Sequence, residues 1–117
     1  KKKKKKIRWF INKIEKTIIN TLSNYKVVAK ENRKNVGIWV KHKRKIKKIA
    51  AIGIKIKKWV AYHGFSLNIN VNLKEYKKII PCGLKNRNVI NLVDIINKKP
   101  LKIKNYIIYN FLNNLED

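Results

Sequence analysis

The first part of the chain carries apolar residues at every third or fourth position. They are Ile7, Phe10, Ile11, Ile14, Ile18 and Leu22. This spacing is typical of one face of an α-helix, and lysines occupy the opposite side. The pattern predicts a helix over residues 7–24 that ends near Ser23 and Asn24. We expect it to pack on a core rather than lie on a membrane surface, because stripes of Ile and Leu are usual in cores.

The middle of the chain follows the period of two that is typical of β-strands. Phe65, Leu67, Ile69 and Val71 alternate with Ser66, Asn68, Asn70 and Asn72, which predicts a strand with one buried face over residues 65–72. Two β-branched runs, at 37–40 and 49–56, predict two more strands, and the charged residues 41–45 between them predict a hairpin turn. Residues 25–29 are expected to form a short strand.

The last third of the chain predicts helices again. Residues 73–78 are expected to form a turn or a short helix, and 88–96 begin a helix with Leu92, Ile95 and Ile96 on its apolar side. Pro100 follows two lysines and starts the last helix, over residues 101–115. The apolar stripe of that helix is expected to contain Ile103, Ile107 (or Tyr106), Phe111 (or Ile108) and Leu115. Together these elements predict an α+β fold, a mixed sheet with helices packed on one side.

The chain is strongly basic, with 31 Lys and Arg against 6 Asp and Glu among 117 residues and a net charge of +25. Such a balance by default indicates a nucleic acid or another polyanion as partner. However, the excess is mostly Lys and comes with abundant Asn and Ile, and all three favour AT-rich codons. We therefore favour codon usage over a selected basic surface. The lysine run at 1–6 is expected to be a disordered lead.

Several functional classes are disfavoured by what the sequence lacks. A single cysteine excludes an intrachain disulfide and fits a reducing compartment. No run of 18 apolar residues predicts a transmembrane helix, and the N-terminal lysines precede no hydrophobic segment of a signal peptide. We find no Gly-rich phosphate loop, no paired carboxylates and no metal-ligand spacing. The basic run at 41–45 is interpreted as a solvated turn, since no aromatic residues that could stack on bases are interleaved with it.

The residues with distinctive chemistry lie between positions 48 and 83. Cys82 stands between Pro81 and Gly83, a context that predicts a tight turn with the thiol at its tip. A nearby cation would lower the pKa of such a thiol and make it a nucleophile, but a lone cysteine is more often a small buried hydrophobe. His63 next to Gly64 is similarly open, either lining a pocket or serving as a hydrogen-bonded structural residue.

Four short motifs in order resemble one family. They are VGIWV at 36–40, KIAAIG at 48–53, HGFSLN at 63–68 and PCG at 81–83. Each is weak alone, but their order and spacing resemble the lipoyl(octanoyl) transferases, which belong to the biotin/lipoate protein ligase fold superfamily. The resemblance covers about residues 7–95. It implies a biotin/lipoate protein ligase-like sheet and an enzyme that moves an octanoyl group from acyl carrier protein to a lipoyl-domain lysine.

The resemblance also implies the roles of individual residues. Cys82 would be the nucleophile that carries the acyl group as a thioester, and Lys48 would lower its pKa and act as the base. Two features depart from or complicate the match: Ser66 stands where small apolar residues are usual, and Lys47 precedes Lys48. Adjacent strand residues face opposite sides, so only one of the two lysines can face the thiol, and the motif selects Lys48. The implied substrate-binding residues are Ala51, Ile52, Gly53, His63, Gly64, Phe65 and Ser66.

The family's partners and compartments follow by the same resemblance. The donor would be octanoyl-acyl carrier protein, and the acceptors would be lipoyl domains of 2-oxoacid dehydrogenases and the glycine cleavage H protein. We expect no cofactor, no metal, no nucleic acid, no membrane contact and a monomer. The cytoplasm is the expected location, or a mitochondrion or plastid if the source is eukaryotic.

The family pattern also predicts how the chain is organised. The family's earlier Gly-rich substrate-pocket segment has no match here, so residues 1–117 are expected to be a single partial catalytic domain that is incomplete at its N-terminus. Within it we expect the basic lead at 1–6, a helix at 7–24, the sheet at 25–83 and C-terminal helices at 84–117. Two alternatives remain: an ATP-dependent lipoate or biotin protein ligase of the same superfamily, and a small basic nucleic-acid-binding module.

Overall fold

The computed structural model describes residues 2–32, 34, 36–57, 60–72 and 89–116. Its helices are α1 (Lys2–Ser23), α2 (Leu92–Ile96) and α3 (Ile103–Leu115), and its strands are β1 (Ala29–Glu31), β2 (Ile38–His42), β3 (Lys45–Lys57) and β4 (Val60–Leu67). The predicted turn or helix at 73–78 and Cys82 lie outside the described residues. In the described ranges, no helix is both long enough and apolar enough to cross a bilayer.

The four strands form one antiparallel sheet in the order β1-β2-β3-β4. The hairpin between β2 and β3 turns at Lys43 and Arg44, whose φ angles are 50° and 67°. Two consecutive positive φ angles are those of a type I′ turn, whose twist matches that of the flanking strands. The turn therefore lies within the predicted range 41–45, and it leaves β3 long enough to pair with both of its neighbours.

Helix α1 packs on the sheet through the predicted stripe. Ile14, Ile18 and Leu22 are buried together with sheet residues that include Ile38 and Ile49. Ile18, Leu22, Ile38 and Ile49 each keep less than 2 % of their surface exposed, and burying one such side chain is worth about 1.5–3 kcal/mol. This layer of helix on sheet confirms the predicted α+β class.

The start and end of α1 differ from the prediction. The helix begins at Lys2, so residues 2–6, expected to be a disordered lead, belong to it. It ends at Ser23 in a Schellman-type turn: the N–H groups of Val27 and Lys26 donate to the carbonyls of Leu22 and Ser23, and Lys26 has a φ of 62°. Because this turn occupies residues 24–26, the strand expected at 25–29 begins only at Ala29.

Strand β4 ends five residues earlier than its alternating pattern predicts. Beyond Leu67 the N–H of Asn68 still donates to the carbonyl of Ile49 at 2.8 Å, but the chain then bends. The side-chain amide of Asn91 takes over as partner, accepting from the N–H of Val71 at 3.0 Å and donating to its carbonyl at 2.8 Å. The prediction that the strand continues to residue 72 is therefore wrong. The backbone of Val71 forms its hydrogen bonds with the Asn91 side chain instead of with a neighbouring strand.

Helices α1 and α3 are joined by polar as well as apolar contacts. The most buried residues of α3 are Asn110 and Asn114, whereas Ile108, an alternative in the predicted stripe, is 58 % exposed. Asn110 Nδ2 donates to Thr21 Oγ1 at 3.1 Å and to Asn24 Oδ1 at 3.0 Å. Asn114 Nδ2 repeats the arrangement one turn on, as a donor to Thr17 Oγ1 at 3.3 Å and Asn20 Oδ1 at 3.1 Å.

The Asn110→Ala substitution is expected to lower the free energy of unfolding by about 1–3 kcal/mol, because it leaves the buried Thr21 hydroxyl without its donor. Urea denaturation followed by circular dichroism measures the change. Asn113→Ala is the matched control, since Asn113 is exposed on the same helix and is expected to change stability by less than about 0.5 kcal/mol. Equal effects of the two substitutions would contradict a stabilising role for the polar pairs.

Candidate functional site

Lys48 lies near the start of β3, where both edges of its backbone are engaged. On one side it pairs with Trp39 of β2. On the other side it forms a parallel bridge with Val89, and its carbonyl accepts the N–H of Ile90 at 3.0 Å. The chain that follows the undescribed residues 73–88 therefore returns to the sheet directly beside Lys48.

A β-bulge determines which face of the sheet Lys48 occupies. Ile38 pairs with Ala50 and Trp39 pairs with Lys48, so Ile49 is an extra residue in β3. At a bulge two neighbouring residues oppose a single residue of the partner strand. Accordingly Ile49 and Ala50 are both buried in the core, at 0 % and 1 % exposure. Lys48 is therefore on the same face as Trp39, which is the face away from the core.

The bulge also aligns Lys48 with a row of small residues. Ala51 and Gly53 follow on its face of β3, and their partners in β4 are Ser66 and Gly64, because directly opposite residues of an antiparallel pair share a face. A Cβ atom added at Gly53 or Gly64 would meet nothing within 4 Å. The open space above these four residues is next to the strand position that carries Lys48.

The other implied binding residues are placed differently. Ile52 pairs with Phe65 and packs against the buried core, so these two residues are on the face opposite the open row. The backbone of His63 in β4 pairs with that of Ile54 in β3. Lys47 pairs with Val40, a core residue, which places Lys47 on the helix-covered face. The structure thus separates the two adjacent lysines.

Two residues that the sequence offered only as part of a motif contact Lys48. The buried Gly37 lies against its side chain, and the Lys48 ammonium is 5.9 Å from the centre of the Trp39 ring. Gly37 could have been predicted as a contact from the sequence, because it is a glycine at the start of a β-branched strand. A glycine in a strand often marks a place where another group approaches the backbone closely.

A groove with a volume of about 640 Å³ runs along β1 and β2 and includes Trp39 in its wall. It combines apolar side chains, of which Val28 and Ile46 are 79 % and 66 % exposed, with several charged ones. Its polar lining consists of Lys26, Lys30, Glu31, Asn32 and Lys41. Cations outnumber anions there, so the groove suits an acidic surface with some apolar character.

Cys82, the predicted nucleophile, lies outside the described residues. Hydrogen bonds are described on both sides of the segment that contains it. Before the segment, the Asn91 side chain bonds to the backbone of Val71. After it, the carbonyl of Lys48 accepts the N–H of Ile90. Within the described part of the chain, no three His, Cys, Asp or Glu side chains are grouped so that they could hold a metal ion.

Comparison with known proteins identifies relatives of this arrangement. Residues 1–111 match the family described as the lipoyl protein ligase A/B catalytic domain. A protein named octanoyltransferase from Wolbachia pipientis wMel is 42 % identical over 101 residues, which are 86 % of this chain and 49 % of that protein. Another octanoyltransferase, from Dictyoglomus turgidum, is 49 % identical over 87 residues, or 74 % of this chain and 36 % of that protein.

A solved structure shares the fold. The crystal structure of lipoate-protein ligase A bound with ATP matches with a TM-score of 0.69 and 18 % sequence identity, over 92 % of this chain and 45 % of that one. At this identity the likeness shows the fold alone. The chain spans about half, or less, of the length of the curated relatives described above, so it contains one part of their shared architecture.

Proposed function

Because this chain belongs to the lipoyl protein ligase A/B catalytic domain family, we propose that it carries the acyl-transfer residues of an octanoyltransferase that acts in protein lipoylation. The single observation that supports this most is the position of Lys48. It shares an open face with Ala51, Gly53, Gly64 and Ser66, whose small side chains leave room for an aliphatic chain.

In the first half-reaction the Cys82 thiolate attacks the carbonyl carbon of an octanoyl thioester on an acyl carrier protein. A new C–S bond forms to Cys82, the C–S bond to the carrier breaks, and the carrier thiolate takes a proton from the Lys48 ammonium. The acyl group is now a thioester on the enzyme. No oxidant, metal or nucleotide is required, because the donor is already an activated acyl compound.

In the second half-reaction the amine of a lipoyl-domain lysine attacks this acyl-cysteine. A C–N bond forms, the C–S bond to Cys82 breaks, and the proton lost by the amine passes to the neutral Lys48. The products are an octanoyl amide and the Cys82 thiolate beside a Lys48 ammonium, which is the starting state. A cation near the thiol keeps its pKa below the ordinary value of about 8.5, so the resting thiolate persists at neutral pH.

The short stretch of chain between Cys82 and Val89 supports the pairing of the Cys82 thiol with Lys48. Val89 is bonded beside Lys48, and Cys82 precedes Val89 by only seven residues. Seven residues span at most about 25 Å when fully extended, so the chain limits how far the thiol can lie from Val89.

The groove along β1 and β2 is the proposed approach for the protein substrates. The family resemblance implies acidic acyl carrier and lipoyl domains as substrates, and Lys26, Lys30 and Lys41 line the groove. Opposite charges raise the rate of encounter and fix orientation more than they raise affinity. The groove reaches Trp39, and through it the face that carries Lys48, so a domain bound there would have its acyl or lysyl arm near the reacting groups.

The test is formation of the acyl-enzyme. The chain is incubated with octanoyl-acyl carrier protein, and intact-mass spectrometry is expected to detect the addition of one octanoyl group that hydroxylamine removes. Cys82→Ala is expected to abolish the adduct. An adduct that persists in Cys82→Ala, or a folded wild-type chain that forms none, would contradict the proposal. Transfer that requires ATP and free octanoate would favour the ligase alternative instead, and duplex binding that falls steeply with salt would favour the nucleic-acid alternative.

A further inference from the structure

The Lys48 side chain passes directly over the backbone of Gly37. A Cβ atom added at Gly37 would lie 2.5 Å from Lys48 Cε and 3.3 Å from Lys48 Nζ, and also 2.9 Å from the carbonyl oxygen of Ala50. All three distances are shorter than ordinary van der Waals contact. The end of the lysine side chain therefore occupies the space in which any other residue at position 37 would have its side chain.

The backbone of Gly37 also requires glycine. Its φ angle is +138°, a region that residues with a Cβ atom rarely adopt. Gly37 immediately precedes β2 and the bulge that turns Lys48 to the outer face. The positive φ angle of Gly37 therefore lies next to the β-bulge that places Lys48 on the outer face.

Trp39 bounds the ammonium on another side. Its ring centre is 5.9 Å from Lys48 Nζ, within the range of a cation–π interaction. Trp39 also pairs with Lys48 across the two strands, so ring and ammonium project from the same face. Without such neighbours a lysine side chain would sample many rotamers about its four-carbon stem, and its charge would be spread over a wide volume.

We propose that Gly37 and Trp39 form a slot that positions the Lys48 ammonium, and that Gly37 is a positioning residue for the reaction. The inference rests on the proposed function, in which Lys48 sets the pKa of the Cys82 thiol. Because electrostatic stabilisation falls with distance, a side chain at position 37 that displaces the ammonium weakens its effect on the thiolate. Gly37 touches no substrate and acts only through Lys48.

The test is a double-mutant cycle of Gly37→Ala and Lys48→Ala, read out as the pH dependence of Cys82 alkylation by iodoacetamide. Gly37→Ala is expected to raise the thiol pKa by about one unit, and so to lower the alkylation rate about tenfold at pH values below the wild-type thiol pKa. In the Lys48→Ala background the same substitution is expected to change the rate less than twofold. A general disturbance of the fold would instead act equally in both backgrounds.

A second measurement does not depend on the thiol. The Cε protons of Lys48, assigned by their loss in Lys48→Ala, are expected to show an upfield ring-current shift from Trp39 in the NMR spectrum. Trp39→Leu, which introduces no backbone strain, is expected to remove that shift and to raise the thiol pKa by about half a unit, which lowers the alkylation rate about threefold at pH values below the wild-type thiol pKa. Gly37→Ala is expected to move the shift towards its random-coil value.

The outcomes separate the two proposals. If Lys48→Ala leaves the thiol pKa unchanged, the proposed function is contradicted, whereas a Lys48 ring-current shift that Trp39→Leu removes still supports the slot. If Lys48→Ala raises the thiol pKa but neither Gly37→Ala nor Trp39→Leu does, the slot is overturned. If Gly37→Ala fails to fold, Trp39→Leu alone decides, by the presence or absence of both its expected effects.

Discussion

Replacing Lys48 by alanine is expected to slow formation of the octanoyl-enzyme by roughly 10²–10⁴-fold at pH 7, the range that general acid–base catalysis supplies. The substitution removes both the charge that favours the thiolate and the group that returns a proton to the leaving thiol. The measurement is a single-turnover time course of the adduct by intact mass. Loss of the cation leaves the thiol protonated at neutral pH, since its pKa returns towards about 8.5.

The pH profile makes this prediction specific. The deficit of Lys48→Ala is expected to shrink as the pH rises past the restored thiol pKa, because the thiolate then forms without help. Lys47→Ala is the matched control: it removes the same charge one residue away, on the helix-covered face, and is expected to slow the reaction less than threefold, because the sheet separates that face from the open row and electrostatic stabilisation falls with distance. Equal effects of the two substitutions would show that only net charge matters and would remove Lys48 from its role.

The parts of the fold that follow simple periodicity could be predicted from the sequence. The apolar spacing from Ile7 to Leu22 predicted the helix that covers the sheet, and the β-branched runs on either side of the charged turn predicted the β2–β3 hairpin. These signals are readable because burial of one face imposes a period of 3.6 or 2. Periodicity could not distinguish Lys48 from Lys47, and the family motifs selected Lys48 as the candidate base.

The parts that depend on a single unpaired residue or a side-chain amide could not be predicted. The extra residue at Ile49 breaks the alternation of β3, so strict alternation would put Lys48 on one face with Ala50 and Ile52, and Ala51 and Gly53 on the other. Asn91 ends the strand pattern at Leu67 by bonding to Val71. Asn110 and Asn114 are the buried residues of α3 although asparagine is usually exposed. Each outcome is decided by a partner distant in sequence.

The bulge matters for the proposed function because it places Lys48 on the same face as the open row. In a regular strand Lys48 would share its face with Ala50, which is buried beside Ile38, and its ammonium would point into the helix layer. The bulge instead keeps Ile49 and Ala50 in the core while Lys48, Ala51 and Gly53 face outwards. One extra residue in β3 thus places Lys48 beside the small residues of the proposed acyl-binding face.

The row of small residues leads to the second large expected effect. Gly64→Leu is expected to lower the rate of octanoyl transfer by about 200-fold relative to transfer of a butyryl group from the same carrier. A Cβ atom at Gly64 meets nothing within 4 Å, so the strand accepts the substitution and the leucine extends into the space above the face. Octanoyl exceeds butyryl by four methylene groups, and burying each is worth about 0.8 kcal/mol. Losing that burial costs about 3.2 kcal/mol, which corresponds to the stated factor.

The comparison between the two acyl donors is what makes this result informative. A leucine that merely disturbed the sheet would slow both donors alike, whereas one that fills the chain's path slows the long donor and spares the short one. Adduct rates with octanoyl- and butyryl-acyl carrier protein are measured side by side, and thermal unfolding confirms that the strand is intact. Asn113→Leu on α3 provides a leucine at an exposed position remote from the sheet, and its donor ratio is expected to equal that of the wild type. An unchanged ratio in Gly64→Leu would mean that the acyl chain does not cross the face shared by Lys48, Gly53 and Gly64, and that its binding surface must be sought elsewhere.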